Sequence, residues 1–156
     1  MVKIIEGNLF ETKANIICHQ TNCQGVMKSG VALEVKQRYP NVFNSYRKDY
    51  EDGLLKLGYV NFASTSNKSS DQIIANMCGQ DVYGYDNGIY THYDKLQDCF
   101  DTVINYIRIS YGVKPTIAFP YLMSCHRGGG DWSIVSKMIE DTFKDFNVEI
   151  WRLNNN

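Results

Sequence analysis

Short runs of apolar and β-branched residues alternate along the chain with longer stretches in which apolar positions recur every three or four residues. The short runs predict buried strands, and the longer stretches predict helices that pack one face on a core. The predicted strands cover residues 2–5, 15–20, 58–63, 72–77, 116–120 and 148–153. Because most strands alternate with helices, the pattern predicts a three-layer α/β domain with a largely parallel sheet.

The helical stretches lie between these strands. The first begins at Gly30 and stops before Pro40, and a second covers residues 42–50. A long apolar stripe runs from residue 93 to 107, and a last one joins residues 132, 135, 139, 143 and 146. Since no linker or repeat divides the chain, we expect a single domain over residues 1–156, with residues 154–156 as a frayed tail.

Composition narrows the class of protein. A chain of 156 residues is long enough to bury a core without a disulfide or metal staple. Its 16 Lys+Arg and 17 Asp+Glu give a net charge of −1, which argues against a protein whose main task is covering nucleic-acid phosphates. The scattered charges and the lack of low-complexity tracts also exclude an intrinsically disordered chain.

The cysteines indicate a reducing compartment. The chain has 5 cysteines, no C-x-x-C pair, no apolar signal core and no run long enough to span a membrane, so we expect a cytoplasmic protein without a membrane partner. The dipeptides at residues 18–19 and 125–126, both Cys-His, raise the hypothesis of a zinc site. Adjacent side chains on a strand point to opposite faces and cannot share one ion, so buried thiols are favoured and neither a metal nor a cofactor is predicted.

Two glycine-containing loops follow predicted strands. One joins the strand ending at Gln20 to a helix near Val31, and the other joins the strand ending at Pro120 to a helix near Trp132. Ligands of open α/β sheets collect at the carboxyl ends of strands, and glycine lets backbone N–H groups approach an anion at a helix N-terminus. The alternative is a flexible turn with Asp131 as helix cap. Because the same unit of strand, glycine-containing loop and helix occurs twice, we favour the interpretation that the two loops together bind a diphosphate.

Two common nucleotide-binding loops are excluded. Residues 25–30 have a G-x-x-x-x-G skeleton, but Val31 and Ala32 follow where a nucleoside triphosphatase needs Lys and Ser or Thr. No G-x-G-x-x-G follows a strand, so the usual nicotinamide dinucleotide fingerprint is also absent.

Four segments resemble the macrodomain family: EGNLFE (6–11), CHQTNCQGVMKSGVA (18–32), NMCGQDVYGYDNGIYTHY (76–93) and the strand with its GGGDW end (117–132). The resemblance is narrower to small stand-alone macrodomains that act as ADP-ribose-1″-phosphate phosphatases and are related to glycohydrolases that remove terminal ADP-ribose. It implies a three-layer α/β/α macrodomain with a mixed, largely parallel sheet of about six strands. It also implies ADP-ribose, an ADP-ribose derivative or an ADP-ribosylated macromolecule as partner.

The same resemblance implies roles for individual positions. Asn8 and Leu9 would line an adenine site, Asn22 would bind the distal ribose, and residues 124–130 would wrap the diphosphate. The full set of implied ligand-binding positions is Asn8, Leu9, Gln20, Asn22, Gly25, Met27, Lys28, Ser29, Gly30, Ala32, Gly79, Gln80, Pro120, Ser124, Cys125, His126, Arg127, Gly128, Gly129 and Gly130. The candidate catalytic residues are Asn22, His19, His126 and Asp131.

Departures from the family pattern affect the expected chemistry. Lys28, Ser124 and His126 stand where the family has glycine, and a positive φ at the last two would cost on the order of 1 kcal/mol each. His126 beside Arg127 could strengthen phosphate binding or supply a proton. The glycohydrolases that form a lysine adduct have Lys near residues 79–80 and Asp near residue 128, and this chain has neither.

Three functions follow as hypotheses. The first is hydrolysis of a distal-ribose substituent by water, with ADP-ribose 1″-phosphate as the leading substrate and His19, His126 and Asp131 as proton-transfer candidates. For His19 the alternative is a strand-end histidine satisfied by the backbone. The second function is binding of ADP-ribose or a related NAD-derived signal nucleotide without turnover, and the third is mono-ADP-ribosyl hydrolysis.

Overall fold

Strands and helices alternate along the chain in the computed structural model, which describes residues 2–66, 72–81, 91–125 and 128–153. In chain order the elements are β1 (Val2–Glu6), a 3-10 helix (Leu9–Glu11), β2 (Ile16–Thr21), α1 (Gly30–Arg38), α2 (Pro40–Glu51), β3 (Val60–Ser64), β4 (Ile73–Cys78), α3 (Tyr93–Ser110), β5 (Thr116–Pro120), α4 (Trp132–Thr142) and β6 (Asn147–Arg152).

The strands form one six-stranded sheet in the order β1-β6-β5-β2-β4-β3. All neighbours pair in parallel except β3 and β4, which are antiparallel. Only residues 65–72 lie between these two strands along the chain, and a parallel pair would need a crossover of a dozen or more residues. The predicted mixed, largely parallel sheet of six strands is therefore confirmed.

The sheet has a separate core on each face. Ile16 and Cys18 of β2 pack in the core under α3 and α4, whereas Ile17 packs in the core under α1 and α2. A strand that is buried on both faces reads as a continuous apolar run, which is why residues 15–20 were recognisable as a strand. The predicted three-layer architecture is confirmed.

Several elements differ from the prediction, and three of the differences have a clear physical reason. The helix predicted from residue 42 begins at Pro40, since the fixed φ of proline suits the first position of a helix. The last helix ends at Thr142, so Phe143 packs on the core from the turn that follows, with its ring centroid 5.4 Å from that of Phe119. The short 3-10 helix was not predicted; the side chain of Asn8 accepts a hydrogen bond from Phe10 N and caps it.

The cysteines are all free thiols. Cys18 and His19 contribute to opposite faces of β2, as the strand argument requires, and they cannot share an ion. Across the residues that the structure describes, there is no cluster of three His, Cys, Asp or Glu side chains that could hold a metal.

None of the helices in the described ranges is long and apolar enough to cross a membrane.

Candidate functional site

A cavity of about 570 Å³ lies at the edge of the sheet where β1, β2, β5 and β6 end. Its walls come from the segment after β1, the loop and first turn of α1, the loop after β5 and the end of β6. Both loops singled out from the sequence therefore reach one cavity.

Many of the predicted ligand-binding and catalytic positions line this cavity. They are Asn8, Leu9, His19, Gln20, Asn22, Lys28, Ser29, Gly30, Ala32, Gln80, Pro120, Ser124 and Gly128. The predicted positions that the structure describes but places outside the lining are Gly25, Met27, Gly79, Cys125, Gly129, Gly130 and Asp131. His126 and Arg127 lie outside the described residues.

Several lining residues were not predicted. Trp151, Arg152 and Leu153 contribute from the end of β6, and Gly7 and Phe10 from the segment after β1. Trp151 lines the cavity and also packs against the core under α1 and α2, so its apolar character alone does not distinguish the two positions. The rule that ligands collect at carboxyl ends of parallel strands could have identified this strand end as well.

Asn22 organises the first loop through its own amide. Its Oδ1 accepts from Gln24 N at 2.9 Å, and its Nδ2 donates to the carbonyl of Val26 at 3.0 Å. The hydroxyl of buried Tyr46 in α2 lies 2.6 Å from Asn22 O and 2.9 Å from Asn22 Oδ1. Burial raises the pKa of the Tyr46 phenol, so the hydroxyl stays protonated and donates to these oxygens.

The Tyr46→Phe variant should therefore lose about 1–3 kcal/mol of unfolding free energy, because the buried oxygens of Asn22 lose their donor. Urea denaturation measures this loss. The matched control is Tyr106→Phe, since the Tyr106 ring stacks on Phe62 with centroids 4.0 Å apart and keeps that contact. A Tyr46→Phe variant as stable as this control would contradict the assigned role of the hydroxyl.

The second loop is held in an unusual backbone conformation. Ser124 has φ +71°, in the left-handed region that favours glycine, so its side chain carries the conformational cost considered for this position. Its hydroxyl donates to Gln20 Oε1 at 2.8 Å, and its carbonyl accepts from Gly130 N at 2.8 Å and from Thr91 Oγ1 at 3.1 Å. These bonds hold the serine in the conformation that a glycine would adopt without strain.

The conformational strain at Ser124 can be separated from its hydrogen bond. Ser124→Ala and Ser124→Gly both remove the hydroxyl, but only alanine keeps the penalty of a side chain at positive φ. We expect Ser124→Gly to be more stable than Ser124→Ala by about 1 kcal/mol. Paired urea titrations measure the difference, and equal stability of the two variants would show that the backbone is not strained there.

Uncharged side chains surround residues 79–80 and 128, the positions near which the adduct-forming glycohydrolases have a lysine and an aspartate. Gln20 Nε2 donates to Gln80 Oε1 and to Thr91 Oγ1, both at 2.9 Å. Two glycines pack directly on Gln20: a Cβ on Gly79 would overlap Gln20 Oε1, and one on Gly128 would lie 2.8 Å from Gln20 Nε2. Any side chain at either glycine would have to displace this amide.

Charges around the cavity are of both signs. Lys28 is an exposed cation on the first loop, and Glu34 of α1 forms an ion pair with Arg38 at 3.2 Å. Arg152 pairs with Glu6 and lies 5.3 Å from the ring centroid of Tyr121. The α1 N-terminus faces the cavity and its N-cap, Ser29, makes no side-chain capping bond. Unpaired amides at a helix N-terminus favour an anion.

The two described candidates for proton transfer have different surroundings. Asp131 is exposed and caps α4, accepting from Ser133 N at 2.9 Å, and the hydrogen bonds from Ser133 lower the pKa of its carboxyl. His19 is buried in the cavity wall, with Nε2 2.5 Å from Asn76 Oδ1, and burial lowers its pKa to about 4. The alternative of a histidine satisfied by the backbone is wrong, because its partner is a side chain.

Sequence comparison finds curated relatives in bacteria. A DNA ADP-ribosyl glycohydrolase of Thermus aquaticus is 25% identical over 152 residues, which are 97% of this chain and 40% of that protein. The protein of the same name from Mycobacterium tuberculosis is 26% identical over 145 residues, 92% of this chain and 39% of the relative. The chain thus spans about two fifths of the length of these relatives.

Solved structures share the fold. The macrodomain of Thermus aquaticus DarG has a TM-score of 0.80 at 22% identity, covering 99% of each chain. A protein of unknown function from Bacteroides thetaiotaomicron reaches 0.83 at 23% identity, covering 98% of each chain. Thermosipho africanus DarTG in complex with ADP-ribose reaches 0.79 at 18% identity, with 97% of this chain and 41% of that one covered.

A family model provides the assignment. The model of the Macro domain matches residues 18–139, a span that contains both loops of the cavity and most of the sheet. The chain therefore belongs to the Macro domain family.

Proposed function

We propose that this macrodomain binds ADP-ribose in the cavity and hydrolyses a bond at its distal ribose. The observation that carries the proposal is the meeting of two glycine-containing strand–loop–helix units at one cavity. Its volume of about 570 Å³ is in the range of sites for small molecules, roughly 300–1,000 Å³. The resemblance to macrodomains and the ADP-ribose complex of the Thermosipho africanus protein support this choice of ligand.

The diphosphate is proposed to lie in the part of the cavity next to α1. Amides at the α1 N-terminus are the proposed N–H donors, Gly128 lines the same cavity, and Lys28 adds a positive charge at the rim. Asn8 and Leu9, on the other side, are the proposed adenine contacts, and Asn22 is proposed to face the distal ribose. A single diphosphate needs only these local groups, which agrees with a net charge of −1.

The uncharged cluster of Gln20, Gln80 and Thr91 favours hydrolysis by water over a lysine adduct. None of these side chains can form an imine, and both adjoining glycines lack space for a longer side chain. ADP-ribose 1″-phosphate is our leading substrate, because loop amides can stabilise negative charge on a terminal phosphate.

Phosphate release from ADP-ribose 1″-phosphate tests this function. We expect turnover by the wild type and a loss of at least about tenfold in Asn22→Ala, which removes the amide that organises the first loop. The matched control is Gly112→Ala, at a position with nothing within 4 Å of the added carbon. The phosphatase proposal is contradicted by a wild type that releases no phosphate.

A second candidate is removal of ADP-ribose from DNA, which the names of the curated relatives favour. The same preparation incubated with an ADP-ribosylated oligonucleotide distinguishes this activity by release of free ADP-ribose. A third candidate is binding without turnover. Calorimetry that shows binding of ADP-ribose 1″-phosphate, followed by recovery of the intact ligand, would identify the protein as a binding module.

A further inference from the structure

A row of hydrogen-bonded polar side chains, buried on the strands and half-buried at Asp49, runs across β2, β4 and β3 from the cavity to α2. His19 of β2 bonds through Nε2 to Asn76 Oδ1 of β4, and Asn76 Nδ2 donates to Asn61 Oδ1 of β3 at 2.9 Å. Asn61 Nδ2 donates in turn to Asp49 Oδ2 of α2 at 2.7 Å. The strand register places His19, Asn76 and Asn61 directly beside one another.

The carboxylate of Asp49 determines which atom donates and which accepts in each of these hydrogen bonds. An ionised Asp49 can only accept, and it accepts from Asn61 Nδ2 and from the hydroxyl of Tyr59. The oxygen of Asn61 must then face Asn76, and the oxygen of Asn76 must face His19. Since two acceptors would repel, His19 carries its proton on Nε2.

This tautomer leaves the lone pair of Nδ1 available. His19 is 1% exposed and lines the cavity, and within the described part of the chain Nδ1 is the buried side-chain polar atom without a hydrogen-bond partner. Such an acceptor costs free energy when it stays unsatisfied in a folded protein. A ligand that brings a donor to this wall recovers that cost on binding.

We propose that His19 Nδ1 accepts a hydrogen bond from a hydroxyl group of the bound nucleotide sugar, and that Asn76, Asn61 and Asp49 hold the ring in the accepting tautomer. The proposal rests on the proposed function, since ADP-ribose supplies the ribose hydroxyls. Burial lowers the pKa of His19 to about 4, so the ring is neutral at pH 7 and selects a donor rather than a phosphate oxygen. His19 is a ligand contact, and the other three are positioning residues.

Nitrogen NMR of the histidine rings tests the proposal on the wild-type protein. In the free protein at pH 7, we expect the His19 ring to show a protonated Nε2 and an unprotonated Nδ1. Saturating ADP-ribose should shift the Nδ1 resonance toward the protonated position, because Nδ1 gains a hydrogen bond. Backbone amide shifts of the two cavity loops in the same sample report whether ADP-ribose binds.

The two readouts separate the two proposals. Loop shifts without a change at Nδ1, or a free protein with the proton on Nδ1, would overturn the role of His19 and leave ADP-ribose binding intact. No shift in either would refute ADP-ribose as ligand and, with it, the inference for His19.

A matched pair of variants tests whether Asp49 positions the His19 ring through the two asparagines. Asp49→Asn keeps the shape but removes the group that can only accept, whereas Glu51→Gln removes a charge from the same helix at a side chain that is 64% exposed. We expect Asp49→Asn to raise the fraction of the Nδ1-protonated tautomer and to weaken ADP-ribose binding about 3- to 10-fold. Glu51→Gln should change neither. An Asp49→Asn variant with the tautomer and affinity of Glu51→Gln would overturn the positioning role.

Discussion

The Gly128→Ala variant is expected to bind ADP-ribose about 10- to 100-fold more weakly than the wild type and to lose about 1–3 kcal/mol of stability. The added Cβ would overlap Thr91 Oγ1 and lie 2.7 Å from the carbonyl oxygen of Ser124. Real Cβ atoms do not approach a backbone oxygen so closely, so the second loop must move. Such a movement pulls Ser124 away from Gln20 and changes the wall of the cavity.

Calorimetry with ADP-ribose and urea denaturation measure the two effects of Gly128→Ala. Gly112→Ala is the control, because a Cβ at Gly112 has open space and the residue lies outside the cavity lining. It should retain the affinity of the wild type. If Gly128→Ala keeps both the affinity and the stability of the wild type, the second loop tolerates the displacement and does not determine ADP-ribose binding.

Acidification is expected to destabilise the protein through His19. Burial lowers the pKa of this ring from 6.5 to about 4 on folding, so between these values the unfolded chain binds more protons than the folded one. The neutral His19 ring therefore makes its full contribution to the free energy of unfolding above pH 6.5, and this contribution falls as the pH drops towards 4. A shift of this size corresponds to about 3 kcal/mol.

The contribution of His19 is isolated by comparing the wild type with His19→Gln. Many carboxylates titrate in the same range, but they are common to both proteins. We expect the difference in unfolding free energy between the two proteins to decrease by about 3 kcal/mol from pH 7 to pH 4 in urea titrations. His92→Gln, at a side chain that is 43% exposed, serves as the control for loss of a histidine. A difference that does not change with pH would show that His19 is accessible to protons in the folded state.

Much of the fold could be predicted because local pattern and global architecture agree. The continuous apolar run of β2 reflects burial on both faces, and Pro40 separates two helices. The predicted boundaries of helices were less accurate where side chains beyond the end of a helix still pack on the core. Phe143 follows the spacing of α4 although the helix has ended, because the core beneath it extends to the turn.

The candidate site was predictable only as far as its loops. Carboxyl ends of parallel strands meet at one edge, so two loops after β2 and β5 were expected to converge, and they share a cavity. Trp151 was not expected there, because its apolar character fits a core equally well and only the position of β6 in the sheet brings it to this edge.

The sequence by itself determined the strand–loop–helix units, the largely parallel sheet and the two loops that meet at the cavity. Only the tertiary structure decided which groups occupy the site and in what chemical state. Gln20 fills the space beside Gly79 and Gly128, and the tautomer of His19 is set by Asp49 through two asparagines. These partners are far apart in the chain, and a hydrogen bond acquires its direction only when strand pairing brings donor and acceptor together.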